Sequence, residues 1–169
     1  MSRQPKVAII MGSDSDFPVV EGGIKILKEF GVDFTVNVCS AHRTPDKAAE
    51  LARNAENNGY DVIIAAAGKA AHLPGVLAAY TALPVIGIPI KSSTLDGLDS
   101  LLSIVQMPSG IPVATVAING SENAALLAIQ ILGGAYPHLR LKTHEYKEKM
   151  AQNVDIKDQQ LQEKLRGTL

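Results

Sequence analysis

Residues 7–16 read VAIIMGSDSD, a continuous apolar run followed directly by a polar loop. A run of five apolar residues without alternation is typical of a strand that is buried on both faces of a parallel sheet. Residues 62–66 (VIIAA) and 85–88 (VIGI) have the same character. The chain therefore predicts several buried parallel strands, each followed by a loop.

Polar clusters follow the first three predicted strands: GSDSD at residues 12–16, SAHRTP at residues 40–45 and AAHLPG at residues 70–75. They lie about thirty residues apart, which is about the length of one strand-helix unit. Parallel strands bring the loops at their carboxyl ends to one edge of the sheet, where open parallel sheets bind ligands. The spacing predicts one site that contains hydroxyls, a carboxylate, an arginine and two histidines.

Two further strands are expected, at residues 32–38, which alternate and so should be less buried, and at residues 113–117. The strand that begins at Val85 is expected to end by Pro89, because proline cannot donate to the ladder. Strands and helices alternate, which predicts an α/β fold with a mostly parallel five-stranded sheet and helices on both faces. Gly22 and Gly23 conflict with the first helix, since each costs about 1 kcal/mol relative to Ala.

The composition is that of one domain with a sizeable core, with 169 residues of which 46% are hydrophobic. The formal net charge of −1 gives no indication of a nucleic-acid or membrane partner. Cys39 is the only cysteine, which excludes an internal disulfide and fits a reducing, cytoplasmic setting. The first residues lack the apolar stretch of a signal peptide, and no apolar run reaches transmembrane length.

The composition changes after residue 141. Residues 1–141 are expected to form a single α/β catalytic domain, and residues 142–169 a charged helical extension with 6 basic and 5 acidic residues. Leu161, Leu165 and Leu169 recur at helical spacing, which predicts one or two amphipathic helices outside the sheet. Their apolar stripe is expected to pack on a neighbouring subunit or on its own domain.

The first polar loop is a candidate for binding phosphate or ribose. Ser13 and Ser15 offer hydroxyls, and Gly12 allows close approach of the backbone to a ligand. The helix that follows presents free N–H groups and the positive end of its dipole. Asp16 would repel phosphate but suits the two hydroxyls of a ribose. The equally weighted alternative is that Ser13 and Asp16 only cap the helix.

The second loop carries the clearest chemistry. Arg43 supplies a rigid donor fork that suits phosphate. His42 has the side-chain type whose unperturbed pKa lies near neutrality, so it is a candidate to move a proton on a bound anionic ligand. A purely structural histidine is the alternative, and the neighbouring arginine in a ligand loop favours catalysis.

The third loop has small residues around His72, which let the backbone pack against a flat ring. His72 would either orient a ligand or bond to the backbone, and the residues do not decide between these roles. Lys69 is unexpected there, because Gly68-Lys69 is not followed by Ser or Thr and lacks the Walker A spacing. A dinucleotide glycine fingerprint is also lacking.

The remaining candidates are weaker. Residues 91–96 are expected to close the same pocket or form a subunit contact, and residues 106–110 fit a flexible cover or a plain turn. Cys39 is disfavoured as a nucleophile because no orienting carboxylate is apparent, and two histidines from separate loops are not a metal-ligand set. His138 and His144 are expected to be solvated.

Five segments together closely resemble the PurE family: MGSDSD, SAHRTPDK, AAHLPG, GLDSLLSIVQMPSGIPVAT and NAALLAIQIL, in order between residues 7 and 132. The bacterial, class I members are N5-carboxyaminoimidazole ribonucleotide mutases of purine (IMP) synthesis. The resemblance implies a three-layer, flavodoxin-like α/β/α sandwich and a homo-octamer whose C-terminal helices reach neighbouring subunits. It also implies that a carboxyl group moves from the exocyclic amine to an imidazole ring carbon without metal, ATP or organic cofactor.

The resemblance assigns roles residue by residue. His42 would be catalytic, passing a proton while the substrate loses carbon dioxide and recaptures it on the ring carbon. Phosphate and ribose contacts would fall on Ser13, Asp16 and Arg43, and the loop over the imidazole would contain His72. The full set of implied substrate-binding residues is Ser13, Ser15, Asp16, Ser40, Ala41, Arg43, Gly68, Lys69, Ala70, His72 and Leu73.

The chain departs from the family pattern in two places. The family usually has a second glycine where this chain has Lys69, and a long cation there would contact a substrate carboxylate, point outward or obstruct the pocket. Residues 118–122 are shorter than the glycine-lysine loop that usually precedes NAALLA. These departures bear on affinity and rate more than on the type of reaction.

Three other readings remain open at the level of sequence. A related enzyme class uses free carbon dioxide and aminoimidazole ribonucleotide, but it lacks the AAHLPG pattern. A non-catalytic nucleotide-binding protein on the same fold is possible because unrelated functions share this architecture, although His42 beside Arg43 argues against it. A purely structural assembly protein leaves the polar loops unexplained.

Overall fold

The computed structural model describes residues 3–93 and 95–167. Within these ranges the chain forms strands β1 (Lys6–Met11), β2 (Asp33–Val38), β3 (Val62–Gly68), β4 (Val85–Ile90) and β5 (Ala114–Thr115). The helices are α1 (Phe17–Phe30), α2 (Pro45–Arg53), α3 (Leu73–Tyr80), α4 (Leu98–Val105), α5 (Ser121–Leu132) and α6 (Pro137–Arg166). The predicted alternation of strands and helices is confirmed.

The strands form one parallel sheet in the order β2-β1-β3-β4-β5 over the described residues. From β1 the chain moves outward to β2 and then crosses back to β3 on the other side of β1. The loops after β1 and β3 therefore diverge, which opens a crevice at the carboxyl ends of these two strands. This order is that of the flavodoxin-like fold.

The central strands are buried on both faces, as their apolar runs predict. In β1, Val7, Ile9 and Met11 face the core formed with α1 and α5, and Ala8 and Ile10 face the core formed with α2, α3 and α4. The result is a three-layer α/β/α sandwich. Strand β2 lies at the edge of the sheet and is only partly buried, in agreement with its alternating sequence.

The crossing of α1 and α5 accounts for Gly22-Gly23. A Cβ atom on Gly23 would lie 2.6 Å from the backbone oxygen of Ser121, a distance that side chains do not tolerate. The backbone N–H of Gly23 also donates to Ser121 Oγ at 3.2 Å. Glycine is therefore required at residue 23, because the backbones of α1 and α5 touch there. This contact explains why a residue of low helix propensity lies inside α1.

Two predicted strand boundaries were wrong. Strand β4 continues through Pro89 to Ile90, because the missing N–H of Pro89 lies on the side of β5, and β5 pairs with β4 only at Ala114–Thr115. Strand β5 is accordingly shorter than residues 113–117. Helix α2 ends at Arg53, and turns continue to Gly59, whose φ of +77° is a left-handed conformation.

The charged C-terminal segment forms one helix, α6, which begins at Pro137 and so starts before the expected boundary at residue 142. Leu139 is buried, whereas the residues after Tyr146 that the structure describes are exposed. Of the expected leucine stripe, Leu161 and Leu165 lie on α6, and Leu169 lies outside the described residues. No helix in the described ranges is long and apolar enough to cross a membrane.

Candidate active site

A cavity of about 570 Å³ lies at the carboxyl ends of β1, β2, β3 and β4. The structure brings all twelve sequence-predicted site residues to its walls: Ser13, Ser15, Asp16, Ser40, Ala41, His42, Arg43, Gly68, Lys69, Ala70, His72 and Leu73. Gly12 and residues 91–93, which the sequence also placed near this pocket, line the cavity as well, and the structure adds Ala67 and Ile90. Residues 91–93 follow β4, so the rule that placed the other three loops at this edge also locates them.

The loop after β1 is held by its own hydrogen bonds. The backbone N–H of Ser13 donates to Asp16 Oδ2 at 3.2 Å, and the N–H of Ser15 donates to Ser13 Oγ at 3.3 Å. These two bonds form a capping box around a single 3-10 turn that leads into α1. The capping interpretation and the ligand interpretation thus apply to the same side chains, which cap the turn and line the cavity.

Asp16 is the buried carboxylate of the cavity, with 7% of its surface exposed. Burial raises its pKa above the ordinary value, because desolvation disfavours the charged form. The hydrogen bonds from Ser13 and Ser15 oppose this shift, and the nearby charge of Asp14 adds to it. An ionised Asp16 therefore gains from a ligand that donates hydrogen bonds to it, as the hydroxyls of a sugar do.

The loop after β2 is closed by Ser40 and Thr44. The hydroxyl of Thr44 donates to the backbone oxygen of Ser40 at 2.9 Å and accepts the Ser40 N–H at 3.0 Å. The N–H of Arg43 donates to Ser40 Oγ at 3.2 Å. This closed turn presents His42 and the exposed guanidinium of Arg43 to the cavity on a fixed backbone.

The two histidines predicted for the site touch each other. His42 Nε2 lies 2.8 Å from His72 Nδ1, a hydrogen-bond distance, and the rings meet edge to face with centroids 4.9 Å apart. Both side chains are exposed to the cavity. Because one nitrogen donates and the other accepts, each ring fixes the tautomer of the other, and a proton passed to the pair can be held by either ring.

The loops after β3 and β4 form the wall opposite Arg43. Lys69 follows β3 directly and has a φ of +56°, a conformation that glycine adopts freely and a lysine does not. Lys91 follows β4, where its N–H donates to Asn119 Oδ1 at 2.9 Å and its ammonium pairs with Asp96 at 3.1 Å. Gly68 packs against Ile90, and a Cβ atom on residue 68 would lie 3.4 Å from the Cβ of the isoleucine.

The other candidates lie apart from this chemistry. Cys39 is buried, with Sγ 3.6 Å from Thr44 Oγ1, and it does not line the cavity. Residues 106–110 form a turn in which Met107 contacts Gly75, and His138 and His144 are exposed on α6. Among the residues that the structure describes, no group of three or more His, Cys, Asp or Glu side chains is arranged to hold a metal ion.

A parallel sheet with a polar cavity at its topological switch point, containing paired imidazoles, a guanidinium and a buried carboxylate, defines an α/β enzyme that binds a small anionic ligand. Comparison with known proteins gives the family. Residues 6–153 match the family model described as AIR carboxylase.

Similar proteins cover nearly the whole chain. The N5-carboxyaminoimidazole ribonucleotide mutase of Thermotoga maritima is 59% identical over 159 residues, covering 94% of this chain and 93% of that protein. The protein of the same name from Pyrococcus horikoshii is 59% identical over 162 residues, covering 96% and 92%. The crystal structure of Treponema denticola PurE has a TM-score of 0.84 and 31% identity, covering 94% of this chain and 99% of that chain.

The chain belongs to the AIR carboxylase, or PurE, family, and the resemblance noted in the sequence is confirmed. It is an enzyme of purine biosynthesis that transfers a carboxyl group as an isomerase does. The flavodoxin-like fold is confirmed by the same structural neighbour and by the strand order.

Proposed function

We propose that this chain interconverts N5-carboxyaminoimidazole ribonucleotide and 4-carboxy-5-aminoimidazole ribonucleotide, and that it is a mutase of class I. The observation that carries the proposal is the contact between His42 Nε2 and His72 Nδ1, at 2.8 Å, on the wall of the cavity. This pair can hold and release a proton where the ring of the substrate would lie. The relatives with this mutase name support the choice of substrate.

The ribose phosphate part of the substrate fits the walls formed by the first two loops. Arg43 offers a guanidinium to the phosphate, and the hydroxyls of Ser13 and Ser15 add donors. Asp16 would accept from the ribose hydroxyls. The aminoimidazole would then extend toward His42 and His72, under the small side chains of residues 68–73.

In the proposed mechanism, the carbamate C–N bond breaks first and releases carbon dioxide inside the cavity. The electron pair stays on nitrogen, which takes a proton from His42. The ring carbon then attacks the trapped carbon dioxide, and His42 removes the proton that this carbon loses, so that the proton count balances. Holding both fragments in one cavity avoids the entropic cost of finding carbon dioxide again in solution.

The test is a cofactor-free assay with either carboxylated nucleotide. The wild type is expected to interconvert the two isomers, and His42→Asn is expected to lower kcat by at least about 100-fold because the proton shuttle is lost. His144→Asn, which changes an exposed histidine on α6, serves as the matched control and should leave the rate unchanged.

Three results would contradict the proposal. Formation of free aminoimidazole ribonucleotide and carbon dioxide, without the second isomer, would identify a carboxylase that works through free carbon dioxide. Normal turnover by His42→Asn would show that His42 is not the residue that transfers the proton. Binding of the nucleotide without any turnover would instead identify a binding protein.

A homo-octamer and a cytoplasmic location belong to the same proposal, as the family resemblance implies. The exposed apolar side chains on the outer part of α6 support the assembly, because such side chains are usually covered. Light scattering tests the octamer, and cell fractionation tests the location.

A further inference from the structure

Lys69 stands out among the cavity residues because of its backbone conformation, for which the described residues give no reason. Its φ of +56° lies in the left-handed region, where a side chain with a Cβ atom is strained. The side chain is exposed, and none of the residues that the structure describes forms a hydrogen bond or ion pair with it. Strained residues of this kind are concentrated at functional sites.

The position of Lys69 gives its wall of the cavity an excess of positive charge. Gly68 pairs with Ile90 in the sheet, so Lys69 and Lys91 leave the sheet side by side from β3 and β4. Lys91 is partly neutralised by Asp96 at 3.1 Å, whereas Lys69 has no such partner among the described residues. Both lysines line the cavity, and an anion bound near them would offset their positive charge.

The placement of the loops indicates which anion this is. Arg43 follows β2, on the far side of β1 from β3, and is the residue proposed to bind the phosphate end of the ligand. Lys69 lies three residues before His72 in the same loop, and His72 contacts His42, where the reaction is proposed to occur. The anion near the histidines is the carboxyl group that moves.

We propose that Lys69 is the counter-ion of the migrating carboxylate, and that it strengthens the preference of this cavity for carboxylated nucleotides over the decarboxylated aminoimidazole ribonucleotide. The identity of the nucleotides rests on the proposed function. The ammonium stabilises the carboxylate in both isomers and leaves the neutral carbon dioxide unaffected. Lys69 is therefore a specificity-determining residue, and the proton transfers remain with the histidines.

The experiment measures binding by calorimetry, which needs no turnover. Three variants are compared with the wild type: Lys69→Asn, which is neutral and tolerates a positive φ, Lys69→Gly, which also removes the strain, and Lys69→Arg, which keeps the charge. The ligands are 4-carboxy-5-aminoimidazole ribonucleotide and 5-aminoimidazole ribonucleotide. Lys25→Asn, an exposed lysine on α1, controls for the change in net charge.

We expect Lys69→Asn and Lys69→Gly to bind the carboxylated nucleotide about tenfold more weakly, as for loss of one charge-assisted hydrogen bond. The affinity for the decarboxylated nucleotide should change less than about twofold, and Lys69→Arg should recover most of the loss. In the assay, KM should rise and kcat should not fall, because the ammonium stabilises the bound carboxylates more than the carbon dioxide that forms from them. Lys69→Gly should also raise Tm by about 2–4 °C, because the strain is removed.

An equal loss of affinity for both nucleotides would overturn the proposal, because it would indicate that Lys69 binds the phosphate that the two nucleotides share. Unchanged binding by Lys69→Asn would show that the side chain points away, and tighter binding would show that it obstructs the cavity. The wild type could bind the carboxylated nucleotide, with weaker binding in Lys69→Asn, and still not interconvert the isomers. That result would refute the proposed mutase activity and support the proposed role of Lys69 as a counter-ion. A wild type that binds neither nucleotide would overturn both.

Discussion

Helices α1 and α6 of the same chain are stabilised in different ways. Helix α1 has 14 residues, of which six are buried between the sheet and α5. Helix α6 has 30 residues, and Leu139 is its buried residue within the described part of the chain. Packing of an apolar face accounts for α1, whereas most of α6 has no such support from its own domain.

The difference indicates which part of α6 needs contacts from outside its own domain to be stabilised. Its first turns are docked: Lys142 Nζ donates to the backbone oxygen of Phe30 at 2.9 Å, and the ring of Tyr146 lies 5.6 Å from that of Phe30. Beyond them, exposed apolar side chains lie on one narrow face of the helix, the α6 stripe: Met150, Val154, Leu161 and Leu165. This stripe is the surface that we expect other copies of the chain to cover.

The largest expected effect comes from removing the part of α6 that its own domain does not hold. Deletion of residues 151–169 keeps the docked turns but removes three residues of the α6 stripe. We expect the mass in solution to fall at least about twofold, because that stripe is proposed to form the contact between copies. Light scattering measures this directly.

A point variant separates the stripe from the helix as a whole. Val154→Gln with Leu161→Gln should dissociate the assembly, whereas Ile156→Gln should not, since Ile156 is exposed but lies on another face of α6. An assembly that persists in the deletion variant would show that α6 is not an interface element. Equal loss of assembly in the double variant and in Ile156→Gln would show that the face of the helix does not matter.

The packing of α1 is most directly challenged at Gly23. We expect Gly23→Ala to lower the free energy of unfolding by about 2 kcal/mol, because the new Cβ must displace the backbone of Ser121. Denaturant unfolding measures the change.

Gly22→Ala is the matched control. Its Cβ would meet side-chain atoms of Ser121 at 3.1 Å and Glu122 at 3.2 Å, which can move. The gain of about 1 kcal/mol in helix propensity should offset that adjustment. Equal effects at the two positions would refute the account of close backbone contact.

The docked turns of α6 should show an intermediate effect. Tyr146→Ala removes the ring contact with Phe30 and is expected to cost about 1 kcal/mol, as for an aromatic pair that remains partly exposed. The assembly should persist, because Tyr146 is not part of the α6 stripe. Urea unfolding combined with light scattering checks both expectations, and loss of assembly would mean that docking and association are coupled.

The contrast between the two helices also explains what could be predicted from the sequence. The buried strands and α1 follow from local apolar patterns that a single chain must bury, and the site followed from the rule that parallel strands share an edge. The passage of β4 through Pro89 was missed because it depends on the length of β5, a tertiary fact. The contact between His42 and His72 was missed because side-chain distances are set by loop geometry, and Gly23 needed the position of α5.

The smallest effect concerns the buried end of α1, where Asp16 lies. Its pKa is raised by burial, so at neutral pH the charged carboxylate destabilises the folded state. As pH falls through the raised pKa toward the ordinary value, the folded protein takes up the proton first and this destabilisation is lost. Asp16→Asn should therefore be more stable than the wild type at pH 7, by no more than about 1 kcal/mol, and the difference should shrink in acid.

Urea unfolding at several pH values measures the stability difference, with Asp33→Asn as the control because Asp33 is exposed at the start of β2, outside this turn. The same Asp16 variant should raise KM in the proposed reaction, since an amide is a weaker acceptor than a carboxylate for ribose hydroxyls. If the stability advantage of Asp16→Asn over the wild type grew in acid, the pKa of Asp16 would be lowered in the folded protein and not raised. A gain in stability without a change in KM would leave Asp16 as a cap of its turn and remove it from the binding of ribose.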